Sequence, residues 1–249
     1  MLKRLGSIAV MAAAIGTALA MPALAGRPLE TEDAGIVPPG SFEVELAGKY
    51  ESGNVVSKSF TLETNLAYGL CSQVELDLAG SGVVYGNAAG DDITGLNDSS
   101  LLLKWRFLGD DGTPLAVAAG ASLSLPTGNA SQGLSSDAYD TTVFLAASYT
   151  PGELGTVHVK AAYNLLESAD DTVTGFVAFE RPLTDVLALV VEAGLDQSAY
   201  GQKDDKSGRG LIGCTWAVSE NVVIDIGVGA GFDNRTPDTI AVFGATCAF

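Results

Sequence analysis

The sequence predicts an all-β protein, a transmembrane antiparallel β-barrel of about 12 strands. Three observations carry that prediction. The chain opens on a secretory leader. Period-two alternation runs from about Ser41 to the end. Short and long connections take turns between the alternating segments.

Residues 1–25 read as a signal peptide. Lys3 and Arg4 form a positive start, Leu5 to Ala20 is an apolar run, and Ala23-Leu24-Ala25 is a small-x-small cleavage site before Gly26. Lys3 and Arg4 are two of the 13 basic residues and no acidic residue lies in 1–25, so 11 basic against 30 acidic remain, a net of −19. That excludes a nucleic-acid binder relying on basic patches, and it disfavours docking on anionic lipid. No later segment has the 18 or so consecutive apolar residues of a membrane helix. A chain that is 47% hydrophobic and exported without membrane helices is either a soluble β-protein or an outer-membrane barrel.

The elements follow in order. Residues 26–40, with Pro28, Pro38 and Pro39, form a periplasmic N-terminal segment or partial plug, and the barrel occupies 41–249. Phe42, Val44 and Leu46 alternate with Glu43, Glu45 and Ala47. Phe60 to Tyr68 alternates with Thr61, Glu63 and Asn65. Val74, Leu76 and Leu78 flank Glu75 and Asp77, and Leu101 to Phe107 flanks Lys104 and Arg106. Eight more segments follow: Leu115–Leu125, Val143–Tyr149, Val157–Tyr163, Val173–Phe179, Leu187–Leu195, Ile212–Trp216, Val222–Phe232 and Ile240–Phe249.

Short turns are expected at 70–72, 109–112, 151–153, 182–185 and 219–221. Longer, mostly Gly-, Asp-, Asn- and Ser-rich connections are expected at 51–58, 85–98, 126–140, 167–171, 196–209 and 233–238. In outer-membrane barrels the short turns are periplasmic and the long loops extracellular, which puts both termini in the periplasm. Tyr68, Trp105, Phe107, Tyr149, Phe179, Trp216 and Phe249 precede short turns or the terminus, where an aromatic girdle belongs. A soluble sandwich has no reason to collect aromatics at one end. The expected surroundings are outer-membrane lipid and lipopolysaccharide. The barrel assembly machinery is expected to read the terminal Phe249, behind which Cys247, Ala245, Phe243 and Ala241 alternate.

If apolar positions face lipid, their neighbours face the lumen. The inward set is Glu43, Glu45, Lys49, Glu63, Glu75, Asp77, Lys104, Arg106, His158, Lys160, Glu192 and Asp225, a charged belt in the periplasmic half. Charge on the lipid face would cost a few kcal/mol each near mid-membrane. Aligning the periplasmic ends of the third and fourth segments pairs Glu75 with Arg106 and Asp77 with Lys104. Such pairs either satisfy a polar interior or select solutes.

No catalytic residue, cofactor or metal site is expected. His158 with Glu192 or Asp225 is the one catalytic candidate, and no Ser is tied to His158 by local motif. Gly227, Gly229 and Gly231 have strand spacing rather than a nucleotide loop's context. Asp91, Asp92 and Asp98, and Asp204 with Asp205, are acidic loop clusters without EF-hand spacing. Cys71, Cys214 and Cys247 form no framework. Cys214 and Cys247 lie roughly 10 Å apart, two strand spacings, beyond disulfide reach.

One resemblance is more specific than periodicity. Arg27-Pro28-Leu29-Glu30-Thr31-Glu32-Asp33-Ala34-Gly35, followed by Gly40, resembles the opening of an outer-membrane family labelled MetA-pathway of phenol degradation, whose members are often described as transporters. Leu66-Ala67-Tyr68-Gly69-Leu70, Asn97–Phe107, Leu125-Pro126-Thr127-Gly128, and Pro182-Leu183-Thr184-Asp185 with Glu192 are similar to further segments of it. The resemblance covers essentially all of 27–249. It implies an outer-membrane channel or transporter for passive uptake of small-molecule solutes, with aromatic or hydrophobic compounds suggested by the label alone. A lipid-modifying barrel enzyme and a closed structural barrel stay open as alternatives.

Overall fold

A computed structural model describes residues 27–53, 58–88, 91–199 and 206–249. The expected leader, Gly26, and Asp204 with Asp205 lie outside the described residues. The strands are β1 (Phe42–Ser52), β2 (Lys58–Cys71), β3 (Val74–Ala88), β4 (Asp91–Leu96), β5 (Ser99–Leu108), β6 (Leu115–Leu125) and β7 (Thr141–Tyr149). They continue as β8 (Thr156–Leu165), β9 (Thr172–Pro182), β10 (Leu187–Ser198), β11 (Lys206–Ser219), β12 (Val222–Gly231) and β13 (Thr239–Ala248).

Every neighbouring pair is antiparallel, and the sheet closes on itself. β1 pairs with β2 on one side and with β13 on the other, from Glu43 opposite Ala248 to Ser52 opposite Thr239. Phe42 and Phe249 exchange backbone hydrogen bonds of 3.1 and 2.8 Å that finish the seam. Closure leaves no unpaired edge, which a strand in hydrocarbon requires. β3 pairs with β5 along its first half and with β4 along its second. β4 and β5 are one stave interrupted at Asn97-Asp98, so the ring has twelve staves. Among the described residues no helix is long and apolar enough to cross a membrane; the crossing elements are strands.

Within the 85–98 connection that alternation alone suggested, residues 85–88 and 91–96 are therefore strand. β3 runs on to Ala88 and pairs antiparallel with β4, which begins at Asp91. Beyond the hydrocarbon no lipid face demands apolar residues, so a polar strand such as Asp91–Leu96 loses the pattern by which strands are recognised.

The alternation sorts side chains as expected. Leu46, Leu103, Leu145, Val177, Ile226 and Phe243 stand exposed on the outer surface, as do Trp105, Tyr149 and Trp216 nearer the short turns. Phe42 packs on Tyr68 at 4.5 Å between ring centroids and Trp105 on Phe107 at 5.4 Å, beside the same turns. The turn after β5 is closed by Asp110, whose backbone oxygen accepts the Thr113 amide at 3.1 Å and whose carboxylate accepts the Gly112 amide at 2.9 Å. Gly109 enters it at φ +80°, where a side chain would be strained.

The protein's core is the barrel interior. It is not uniformly polar. Phe144, Ala146 and Ala162 pack together inside, with Leu102 against them. Leu211, Ile240 and Val242 form a second apolar patch. Cys214 lies opposite Ile226 and Cys247 opposite Val222, so they are separated by a strand and by four residues along it; all three cysteines are free.

Candidate functional site

The interior is occupied by the segment that precedes β1. Residues 27–40 cross the lumen before turning into β1. Ala34 and Thr31 are 0 and 1% exposed. Arg27 lies between β2 and β12, 3.6 Å from Glu63 and 3.5 Å from Asp225. Pro28 packs against Gly213 of β11, and Leu29 against the patch of Leu211, Ile240 and Val242. Glu30 pairs with Lys49 of β1 at 3.3 Å and with Arg209 of β11.

Glu192 of β10 takes the densest set of contacts. Its carboxylate accepts the Glu30 amide at 2.9 Å, the Thr31 amide at 2.6 Å and the Thr31 hydroxyl. Farther along, Glu32 pairs with Lys104 of β5 at 2.8 Å, and Ala34 donates to Ser148 Oγ of β7 at 3.0 Å. Val37 donates to Glu75 of β3 at 2.7 Å. Gly40 donates to Gly69 of β2 at 2.8 Å, and a Cβ at Gly69 would collide with the carbonyls of Val37 and Pro38. One extended segment thus ties together staves from all around the ring.

The sequence-predicted belt is where these contacts fall. Glu43, Glu75, Asp77, Lys104, Arg106, His158, Glu192 and Asp225 are buried inside the barrel; Glu45, Lys49, Glu63 and Lys160 are half-buried there. Lys160 stands 5.3 Å from the Phe144 ring centroid. The cross-strand pairing needs correction. Glu75 is opposite Lys104, not Arg106, and their charged groups meet at 2.7 Å. Asp77 is opposite Leu102, and Arg106 reaches Asp111 and the Ser72 carbonyl in the turns. β5 runs three residues past Trp105, the partner of the first residue of β3, a stagger of the kind that strand tilt imposes on a closed barrel.

His158 lines the lumen, with partners other than those of the catalytic candidate. It does not meet Glu192 or Asp225. The register sets it opposite Ser148, whose Oγ is 2.9 Å from Nδ1, and Glu180 lies 3.8 Å from Nε2. That Oγ already accepts the Ala34 amide, so the segment covers it. Asp98 is not poised for a cation either. It accepts the Gly128 amide at 2.9 Å and the Ser136 amide at 3.0 Å, pinning the connection between β6 and β7. Among the described residues no group of three or more His, Cys, Asp or Glu side chains could hold a metal ion.

Cavities remain on both sides of the segment. One of about 220 Å³ lies by the short turns, lined by Arg106, Asp111, Thr150, Thr156 and His158. Another of about 410 Å³ lies toward the long connections, lined by Ser100, Ser122, Phe144, Lys160 and Asn164.

The architecture has close counterparts among solved structures. The COG4313 outer membrane channel from Pseudomonas putida F1 superposes with a TM-score of 0.73 at 14% identity, over 89% of this chain and all of that one. The KdgM porin gives 0.61 at 10% identity, over 83% of this chain and 99% of that one. The NanC porin gives 0.61 at 9%, over 82% and 98%. At these identities the likeness concerns the fold, which is that of outer-membrane barrels. No curated protein matches the chain. The family profile described as "Putative MetA-pathway of phenol degradation" matches residues 25–249, and the chain belongs to that family.

Proposed function

We propose that the protein is a passive outer-membrane channel for small molecules, its lumen narrowed by residues 27–40 acting as a partial plug. The short turns face the periplasm and the long connections the cell exterior. The observation that carries the reading is the segment itself: it crosses the lumen held by wall side chains from Lys49 to Glu75, with cavities of about 220 and 410 Å³ on either side. A structural barrel of this size has no need of polar cavities above and below a crossing segment. The likeness to proteins named channels and porins supports the same reading. The family description suggests aromatic or hydrophobic solutes, and the inward Phe144 and Leu211 give such solutes apolar surface along a charged lumen.

The near-complete burial of Thr31 and Ala34 favours a second reading, a closed barrel. Planar-bilayer recordings separate the two. The mature chain should conduct weakly, and a variant lacking 27–39 should conduct severalfold more. Silence from both proteins, at every solute size tried in liposome swelling, would sink the channel reading. Lipid hydrolysis that is lost on His158→Ala would instead favour a barrel enzyme.

A further inference from the structure

On the wall between β1 and β3 is a group of acceptors with no ion-pair partner among the described residues. Glu43, Ala67 and Asp77 form one row across β1, β2 and β3, and Glu45, Asn65 and Ala79 the next inward row. Ala67 is small and buried, so it leaves a notch between Glu43 and Asp77. Glu43, Glu45, Asn65 and Asp77 line a cavity of about 170 Å³ there.

The local charge balance is one-sided. The basic groups of that cavity are Arg27 and Lys104. Lys104 is taken by Glu32 and Glu75, and Arg27 by Glu63 and Asp225. Among the described residues Glu43, Glu45 and Asp77 have no ion pair. Asp77 is 5% exposed, and its Oδ1 has no hydrogen-bond donor; nor has Asn65 Oδ1. Buried carboxylates without a counter-charge or a donor are costly, and a cation bearing donors removes that cost.

We propose that this notch binds a small organic cation with several N–H groups, of the guanidinium or primary-ammonium type. The site lacks both positive charge and hydrogen-bond donors, and such a group supplies the two together. The space suffices, since a cavity of about 150 Å³ holds a benzene-sized guest. A metal ion fits less well, because no three of the described carboxylates converge closely enough to ligate one. As a determinant of which solutes pass, the notch rests on the channel reading; as a binding site it does not.

The test is therefore equilibrium binding, without transport. Guanidinium chloride at millimolar concentration is titrated into the detergent-solubilised mature protein by calorimetry. Urea, the neutral molecule of nearly the same shape, and potassium chloride serve as comparisons. Saturable guanidinium binding is expected, weakened at least tenfold in Asp77→Asn and abolished in Glu43→Gln/Glu45→Gln/Asp77→Asn. The exposed-turn variant Glu220→Gln should bind as the parent does. Because the triple variant changes two buried groups and one half-buried one, its barrel spectrum is compared with the parent's, and Asp77→Asn alone decides if it misfolds. No saturable binding, equal binding of urea, equal competition by potassium, or undiminished binding by Asp77→Asn overturns the proposal. Binding by a protein that never conducts leaves the site standing and the channel reading refuted.

Discussion

Glu192 shows how much one side chain can hold when its carboxylate faces backbone amides. Two amides and a hydroxyl of residues 30–31 converge on it. A hydrogen bond to a charged group contributes about 1.5–3 kcal/mol, and the contacts on one carboxylate are not additive. Glu192→Ala should therefore loosen the segment by about that much, and Glu192→Gln by less. Hydrogen exchange at Ala34 reads this without trivial loss of an acceptor, because its partner is Ser148. Its exchange should quicken about tenfold or more. An unchanged rate would mean that Glu192 fixes residues 30–31 alone. At this scale the sequence was partly legible. The inward charges announced themselves by standing between apolar neighbours. Their partners did not, because a register shift of two residues decides whether Glu75 meets Lys104 or Arg106. Ser148 was missed as the partner of His158 for the same reason: cross-strand proximity leaves no trace in local spacing.

Among the elements, the transmembrane strands were legible and their extensions were not. Alternation reports only where one face meets lipid, so β4 and the distal half of β3 read as loop. Buried apolar positions were hidden as well. In the run Leu187-Ala-Leu-Val-Val, both faces are apolar, and only the structure shows that Ala188 and Val190 point inward. The interruption between β4 and β5 has a use, since it frees Asp98 to anchor the connection that follows β6. Burial acts against ionisation of this carboxyl, but hydrogen bonds from the Ser135 side chain and from Gly128 and Ser136 outweigh it and hold its pKa below the ordinary aspartate value. A group lowered in this way stabilises above the unfolded pKa and loses that contribution as pH falls through the folded one. The 126–136 connection should thus stay ordered through neutral and mildly acidic pH. The Gly128 and Ser136 amide resonances should titrate together with a midpoint below about 3.9, the ordinary aspartate value. A midpoint at or above that value contradicts the assignment.

For the molecule as a whole, closure of the ring was foreseeable from an even count of segments, and the filling of the ring was less so. Residues 26–40 carry little periodicity; prolines and a charged stretch were the visible signs. The seam of β1 against β13 gives a prediction at this scale. Phe249 contributes backbone hydrogen bonds to the seam while its side chain is 73% exposed. We propose that the side chain serves recognition by the assembly machinery rather than stability. Phe249→Ala should refold in detergent with unchanged stability, yet reach the outer membrane of cells in severalfold lower yield. Equal yields would remove that role. Arg27 lies inside the barrel between Asp225 and Glu63. On the channel reading, a fluorescent dye attached within residues 27–40 would share the passage that solutes use. This segment is thus a poor place for an affinity handle and a good place for a reporter: a dye there would sense each occupant of the lumen directly.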